Sequence, residues 1–350
     1  MSNSFSLTTS RIPLIAALAS VILAVDVSQK VGLAWGGSPD QVEQFLQTDK
    51  ISWYYHWSEH PELDATSLSF APMLWGERDV EDWSNSIGNV IDKNNVTTLL
   101  GMNEPNLADQ SNMTAEEAAD LWRAHIQPLN ARGLRLASPV PTNAPSGPVW
   151  LQDFIAACGA NCTIDIIALH YYGTNATALI DYVTRVHDMF QRPVWLTEFA
   201  CQSFVDANDV ASAEEISTFM NTTVTFLEST PWVERYSWFG ATTKLHGMNP
   251  FNALMNPDGH INTLGLQYIG AGSFVVPNAT DGDSNTTAPG GGGAASDHLT
   301  PTFVPSPDAT GVSPEDNPLA WPSISSGASS LAASLLALGM AAVATLWRIV

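Results

Sequence analysis

Between residues 30 and 270, short apolar runs alternate with longer stretches in which apolar residues recur every three or four positions. The short runs are 30–35, 51–57, 69–75, 97–102, 135–140, 166–172, 193–199 and 234–239. Their length and their β-branched and aromatic content predict strands. The longer stretches, 39–47, 80–93, 115–131, 149–157, 177–190 and 213–229, predict helices. Thr114 with Glu117 and Ser212 with Glu215 have the capping-box spacing, in which hydroxyl and acid satisfy free backbone donors at a helix start. The link between the second and third strands is short and polar, which argues against a helix there. Eight strands alternating with helices predict an α/β fold of the (β/α)8 TIM-barrel type. An open doubly wound sheet is the alternative, but no Gly-rich phosphate loop follows the first strand.

Both ends depart from this pattern. A polar start ending in Arg11 leads into an apolar run, 12–25, which Asp26 stops at once. The run is too short to span a bilayer comfortably, so residues 1–25 read as a secretory signal peptide with cleavage near Ala24. Seven Asn-x-Ser/Thr acceptors agree with export: Asn95, Asn112, Asn161, Asn175, Asn221, Asn278 and Asn285. Residues 26–274 then form the folded domain. Residues 275–327 are rich in Pro, Gly, Ser and Thr and cannot bury enough apolar surface to fold, which predicts a disordered, O-glycosylated stalk. Small residues at 323–330 precede the apolar tail 331–350, so 328–350 read as a GPI-attachment signal with Ser325, Ser326 or Gly327 as anchor site. A membrane-spanning tail would show a basic cytoplasmic flank, and only Arg348 is available. The expected location is the cell surface or wall, with the chain held to the membrane by a lipid.

Charge narrows the partners. The chain of 350 residues has 35 acidic and 13 basic residues, a net charge of −22. That surface disfavours nucleic acid and anionic substrates. A neutral polymer suits it, and the 12 Trp offer flat apolar faces for sugar rings, although core packing is the better explanation for most of them. A monomer is expected. Three cysteines, Cys158, Cys162 and Cys201, imply one disulfide and one thiol; the close pair, or either one with Cys201, is allowed. They make a poor zinc ligand set.

Two acids end strands without a spacer. Glu104 terminates TTLLGMNEPN, with Pro105 stopping the run, and Glu198 terminates RPVWLTEFAC. In a parallel barrel both strand tips lie on the face where active sites sit. Paired carboxylates there suit glycosidic cleavage: one protonates the leaving oxygen and the other attacks the anomeric carbon. The assignment is Glu104 as acid/base and Glu198 as nucleophile. The Asn103 amide is placed to bond a sugar 2-hydroxyl. His170 and Tyr172, at the sixth strand's tip, are positioned to hold Glu198. Trp75 and Trp57, at the ends of the third and second strands, are candidate sugar platforms. No cofactor or metal is indicated, and this chemistry requires none.

The blocks 53–58, 71–76, 101–106, 165–172 and 195–201 together resemble glycoside hydrolase family 128, a fungal glycosyl hydrolase catalytic core of clan A. The resemblance covers about residues 30–270 and implies retaining endo-hydrolysis of β-1,3-glucan in the cell wall, with Trp238 on the eighth strand as an aromatic platform under the sugar that is cleaved. Tyr171 departs from the family pattern and would reshape a sugar subsite if it lined the cleft. Other clan activities, on β-1,6-glucan or β-mannan or by transglycosylation, share the same glutamates. A catalytically weak glucan-binding wall protein is the non-enzymatic alternative.

Overall fold

A computed structural model describes residues 29–63, 67–245 and 247–273. The signal peptide, stalk, tail, Asn278 and Asn285 lie outside the described residues. Every expected strand is present: β1 (Val31–Trp35), β2 (Ile51–Tyr55), β3 (Ser69–Phe70), β4 (Thr98–Leu100), β5 (Arg135–Ala137), β6 (Ile167–Tyr172), β7 (Val194–Ala200) and β8 (Val233–Ala241). Parallel pairing runs β3-β2-β1-β8-β7-β6, with β4-β5 as a second ladder. Parallel bridges Phe70–Val96 and Met73–Leu100 join β3 to β4, and Ala137–Ile166 joins β5 to β6. The strands therefore pair in a closed circuit, and the open-sheet alternative is excluded. β3 and β5 are shorter than the apolar runs because Pro72 and Pro139 have no N–H to give the ladder. Across that seam a Cβ on Gly101 would lie 2.6 Å from the Pro139 nitrogen, so only glycine allows the approach.

Side chains alternate across the barrel wall. Trp53, Tyr55, Met73, Leu100, Ile166 and Trp195 fill the interior, spaced by Ala34, Ala71, Ala137 and Ala168. The small residues make room for indoles whose centroids, Trp53 to Trp195, are 5.2 Å apart. Tyr54, between two inward rings, points out onto Phe70.

The outer layer is α1 (Val80–Lys93), α2 (Ala115–Leu121), α3 (Ser146–Cys158), α4 (Ala176–Phe190), α5 (Ala213–Ser229) and α6 (Thr263–Tyr268), with a 3-10 helix over Pro39–Phe45. Both expected capping boxes form. The single helix expected over 115–131 does not: after Leu121 the chain widens into a π segment, Trp122–Ile126, and then a 3-10 segment, Gln127–Arg132. Pro128 is the cause, because it lacks a donor and its ring clashes with the carbonyl four residues back. The β2–β3 link has no helix among its described residues. α6 was not anticipated. It seats Tyr268, whose hydroxyl donates to Gly32 O at 2.8 Å and accepts from Trp238 N at 3.2 Å, tying β1 to β8.

The disulfide is Cys158–Cys162, with Cα atoms 5.4 Å apart, well within bridging range. Cys201 is free and buried, and burial pushes its thiol up to about 12. The five described glycan acceptors, Asn95, Asn112, Asn161, Asn175 and Asn221, are all exposed.

Candidate active site

Two backbone irregularities aim the carboxylates inward. On β7, Leu196 pairs with Leu169 of β6 and Tyr236 of β8, but the next partners are Glu198 with His170 and Phe199 with Trp238. Thr197 is thus an extra residue on β7, a bulge. Trp195 faces in and Leu196 out; strict alternation would have sent Glu198 out into the apolar layer. The bulge turns it back toward the interior. At the β4 tip Glu104 has φ 41°, in the left-handed region that non-glycine residues avoid. Such a conformation costs on the order of 1–3 kcal/mol unless its surroundings hold it. Here the Glu104 N–H donates to Val140 O at 2.8 Å, and its carbonyl accepts from Leu107 N at 3.0 Å.

The side chains converge on one buried imidazole. His170 Nδ1 lies 2.9 Å from Glu104 Oε1, within hydrogen-bonding distance. His170 Nε2 stands 3.3 Å from Glu198 Oε1, in ionic contact but off the hydrogen-bond line. Other donors serve Glu198: Trp57 Nε1 at 2.6 Å and Tyr55 OH at 3.0 Å on Oε1, and Tyr172 OH at 2.5 Å on Oε2. The two acids and the imidazole each bring an atom within 4.8 Å of the others, and among the described residues they are the group close enough to hold a metal ion.

These surroundings treat the acids differently. Burial raises the Glu104 carboxyl above its usual range, against the opposing hydrogen bond and charge of His170. Burial also works against a charge on His170, but the Glu198 and Glu104 carboxylates outweigh it and raise the imidazole. Burial first, then the charge of Glu198, pushes Tyr55 and Tyr172 well above the usual phenol range, so both remain donors. Three N–H and O–H donors, from Tyr55, Trp57 and Tyr172, thus surround the oxygens of Glu198.

The other expected residues divide. Asn103, next in the chain to Glu104, donates from Nδ2 to Gln110 Oε1 at 3.0 Å, while its Oδ1 is buried with no protein partner. Tyr172 holds Glu198 as anticipated, whereas His170 hydrogen-bonds Glu104. Trp57 faces the interior, with φ 62°, and its indole N–H serves Glu198. Trp75 lines the interior at the β3 tip. Trp238 is a correction. It is 0% exposed, packs against Phe199 and Phe219, and donates its N–H to Asn252 O at 2.9 Å, so it has no face to offer a sugar. One position along β8 changes sides of the sheet, and Phe239 is the inward residue, edge-on to Trp57 and Tyr172. Tyr171 also points outward, onto Tyr182, and does not line the cleft. Tyr55 and Phe239 escaped the sequence reading. The alternation of Trp53, Tyr55 and Trp57 was the available signal, since a tyrosine inside a barrel needs a partner for its hydroxyl.

Known proteins share this frame. The family model for a glycosyl hydrolase catalytic core matches residues 32–268. Alkali-sensitive linkage protein 1 of Schizosaccharomyces pombe is 36% identical over 249 residues, covering 69% of this chain and 45% of the yeast protein. The chain thus spans less than half the length of that curated relative. Among solved structures, a subgroup II endo-β-1,3-glucanase of glycoside hydrolase family 128 from Sorangium cellulosum is 31% identical, with a TM-score of 0.60 over 71% of this chain and 100% of that one. A subgroup III curdlan-specific exo-β-1,3-glucanase from Blastomyces gilchristii, in complex with glucose, is 29% identical with a TM-score of 0.59 over 69% and 97%. A subgroup I endo-β-1,3-glucanase from Amycolatopsis mediterranei, a point mutant in complex with laminaripentaose, is 30% identical with a TM-score of 0.57 over 69% and 99%. By sequence and by fold alike, the chain belongs to the glycosyl hydrolase catalytic-core family, within glycoside hydrolase family 128.

Proposed function

We propose that this chain is a secreted, surface-tethered retaining endo-β-1,3-glucanase of the cell wall, with Glu104 as acid/base and Glu198 as nucleophile. The observation that carries the reading is the asymmetry of two adjacent buried acids: burial raises the Glu104 carboxyl above its usual range, whereas three N–H and O–H donors converge on the oxygens of Glu198. Glu104 gives its proton to the glycosidic oxygen as Glu198 attacks the anomeric carbon and the carbon–oxygen bond breaks. The Glu104 carboxylate then takes a proton from water, whose oxygen attacks the same carbon and releases Glu198. The buried, unpaired Asn103 Oδ1 is an acceptor suited to a sugar hydroxyl. The relatives crystallised with laminari-oligosaccharides support a β-1,3-glucan substrate. A panel of linkage-defined glucans and mannans, read by product size, tests linkage and endo action. Cleavage of a β-1,6-glucan or β-mannan in preference would overturn the assignment.

Stereochemistry is a separate prediction. Acids within 4.8 Å leave no room for a water between carboxylate and sugar, so the first-formed sugar keeps the β configuration. Proton NMR in the first minutes of hydrolysis reads it directly, and an initial α-anomer rules out retention.

For the tether, the tail 331–350 is exchanged for a glycolipid at Ser325, Ser326 or Gly327, and the stalk holds the barrel within reach of wall polymer. Mass spectrometry of the surface protein's C-terminus is the measurement. Recovery of peptide from 331–350 would show that the tail is retained.

A further inference from the structure

We propose that Arg78 is a specificity-determining residue that caps the β3 end of the cleft by occupying the sugar-stacking face of Trp75. The inference rests on the glucanase reading above. Trp75 sits at the tip of β3 on the same interior surface as Trp57, and its carbonyl accepts from the Asn103 N–H at 2.9 Å. It is thus one backbone bond from the residue that precedes Glu104. An indole in that place is a natural platform for a pyranose ring, yet Trp75 is only 7% exposed. The cover is Arg78, whose guanidinium carbon lies 3.5 Å from the ring centroid. That is van der Waals distance, so no sugar shares this face while the stack stands.

The backbone places the cap. After Trp75 the chain passes Gly76, where a Cβ would meet Ser111 Cβ at 2.9 Å, so the turn packs closely on the loop after β4. A 3-10 turn, Glu77–Asp79, follows and carries Arg78 back over the ring. Asp79 Oδ1, 3.3 Å from Arg78 Nε, fixes the guanidinium from the outside. The Arg78 side chain remains 46% exposed. Nearly half of the side chain is therefore open to solvent while the guanidinium rests on the ring. A flat cation with several fixed donors recognises hydroxyls by hydrogen bonds, where a bare indole would recognise the apolar face of a ring. The structure thus exchanges a stacking position for a polar stop. A glucan chain in the cleft gains nothing from a further unit at the β3 end, and cleavage is set by units bound elsewhere.

Three proteins test this: the wild type, Arg78→Ala, and Arg78→Ala combined with Trp75→Ala. Each is given laminari-oligosaccharides of three to seven units, labelled at the reducing end, and read by bond-cleavage frequency, kcat and KM. Tryptophan fluorescence titration with the same sugars reads binding without turnover. Uncovering Trp75 adds a binding position. The preferred bond in Arg78→Ala therefore moves by one unit on the longer sugars. KM and Kd for the longest fall about threefold to tenfold, in the range of a single base-on-aromatic or cation-on-aromatic contact. The change grows with chain length and falls on KM more than on kcat, which general loosening of the site would not produce. Removing Trp75 as well cancels the gain. An unchanged cleavage pattern together with unchanged length dependence of binding in Arg78→Ala overturns the cap, as does a gain that survives loss of Trp75. Sugars that bind the wild type but are not cleaved count against the proposed activity while leaving the cap to be judged by the titrations. Absence of binding by wild type and variant alike overturns both.

Discussion

Glu198→Gln is expected to lower kcat/KM on β-1,3-glucan by on the order of 10³-fold or more, about 4 kcal/mol of transition-state stabilisation. Glutamine keeps the volume of the side chain but has no anionic oxygen for the anomeric carbon. It also sets an NH2 against at least one of three donors, Tyr55, Trp57 and Tyr172, all of which aim hydrogens at this position. The effect therefore falls on chemistry, while a buried charge is removed and the barrel wall is unchanged, so the melting temperature moves by only a few degrees. A smaller substitution adds a sharper test. Glu198→Ala leaves a hole beside the same donors, and formate added at high concentration should restore part of the turnover, now giving an α-linked formyl adduct. A folded Glu198→Gln protein with near-normal turnover would remove the residue from the mechanism.

Glu104→Gln should cost about 10²–10⁴-fold on glucan, the range of a positioned general acid. Its signature differs from that of Glu198. An aryl β-glucoside with a weakly basic leaving group needs no proton to depart, so its first step should be nearly normal and the loss should move to the second step. The pH profile gives the other half of the test. With Glu104 as the proposed acid, activity would require its proton, so kcat/KM is expected to fall as pH rises through the pKa of this carboxyl. Burial raises that pKa, which places the alkaline limb above the range of an ordinary glutamate. Glutamine does not titrate, and the limb should vanish from whatever activity remains. A Glu104→Gln protein that kept the wild-type alkaline limb would show that another group supplies the proton.

The positions of the two acids were legible in one dimension because each ends a short apolar run, and strand tips of a parallel barrel share a face. The element pattern was legible for the same kind of reason. Apolar spacing, the capping boxes at Thr114 and Ser212 and the prolines act over a few residues, and local rules suffice for them. Where local evidence was present but not weighed, the reading failed: Pro128 splits the helix expected over 115–131 into three kinds of turn.

Only the tertiary structure decided which side chains face the site. A strand's phase depends on its partners, and Thr197 is extra only in relation to the strands on either side of it. Without that bulge Glu198 would point into the apolar layer. On β8 the same question of phase separates Trp238, enclosed against α5, from Phe239, which reaches the interior. The donors on Glu198 come from β2 and the residues just after it, 141 and 143 positions earlier in the chain, and from β6. The choice of Cys158–Cys162 over a bridge to Cys201 was likewise visible only in the folded chain, where the turn after α3 brings the first two within 5.4 Å at Cα and Cys201 is buried and free. The amino-acid sequence alone determined the strands, the helix starts and the two acids at strand tips, because those depend on residues near one another. The inward turn of Glu198, its three donors and the upward push of burial on the Glu104 carboxyl arise only when distant strands close into one barrel, because register, contact and desolvation are properties of the assembled wall.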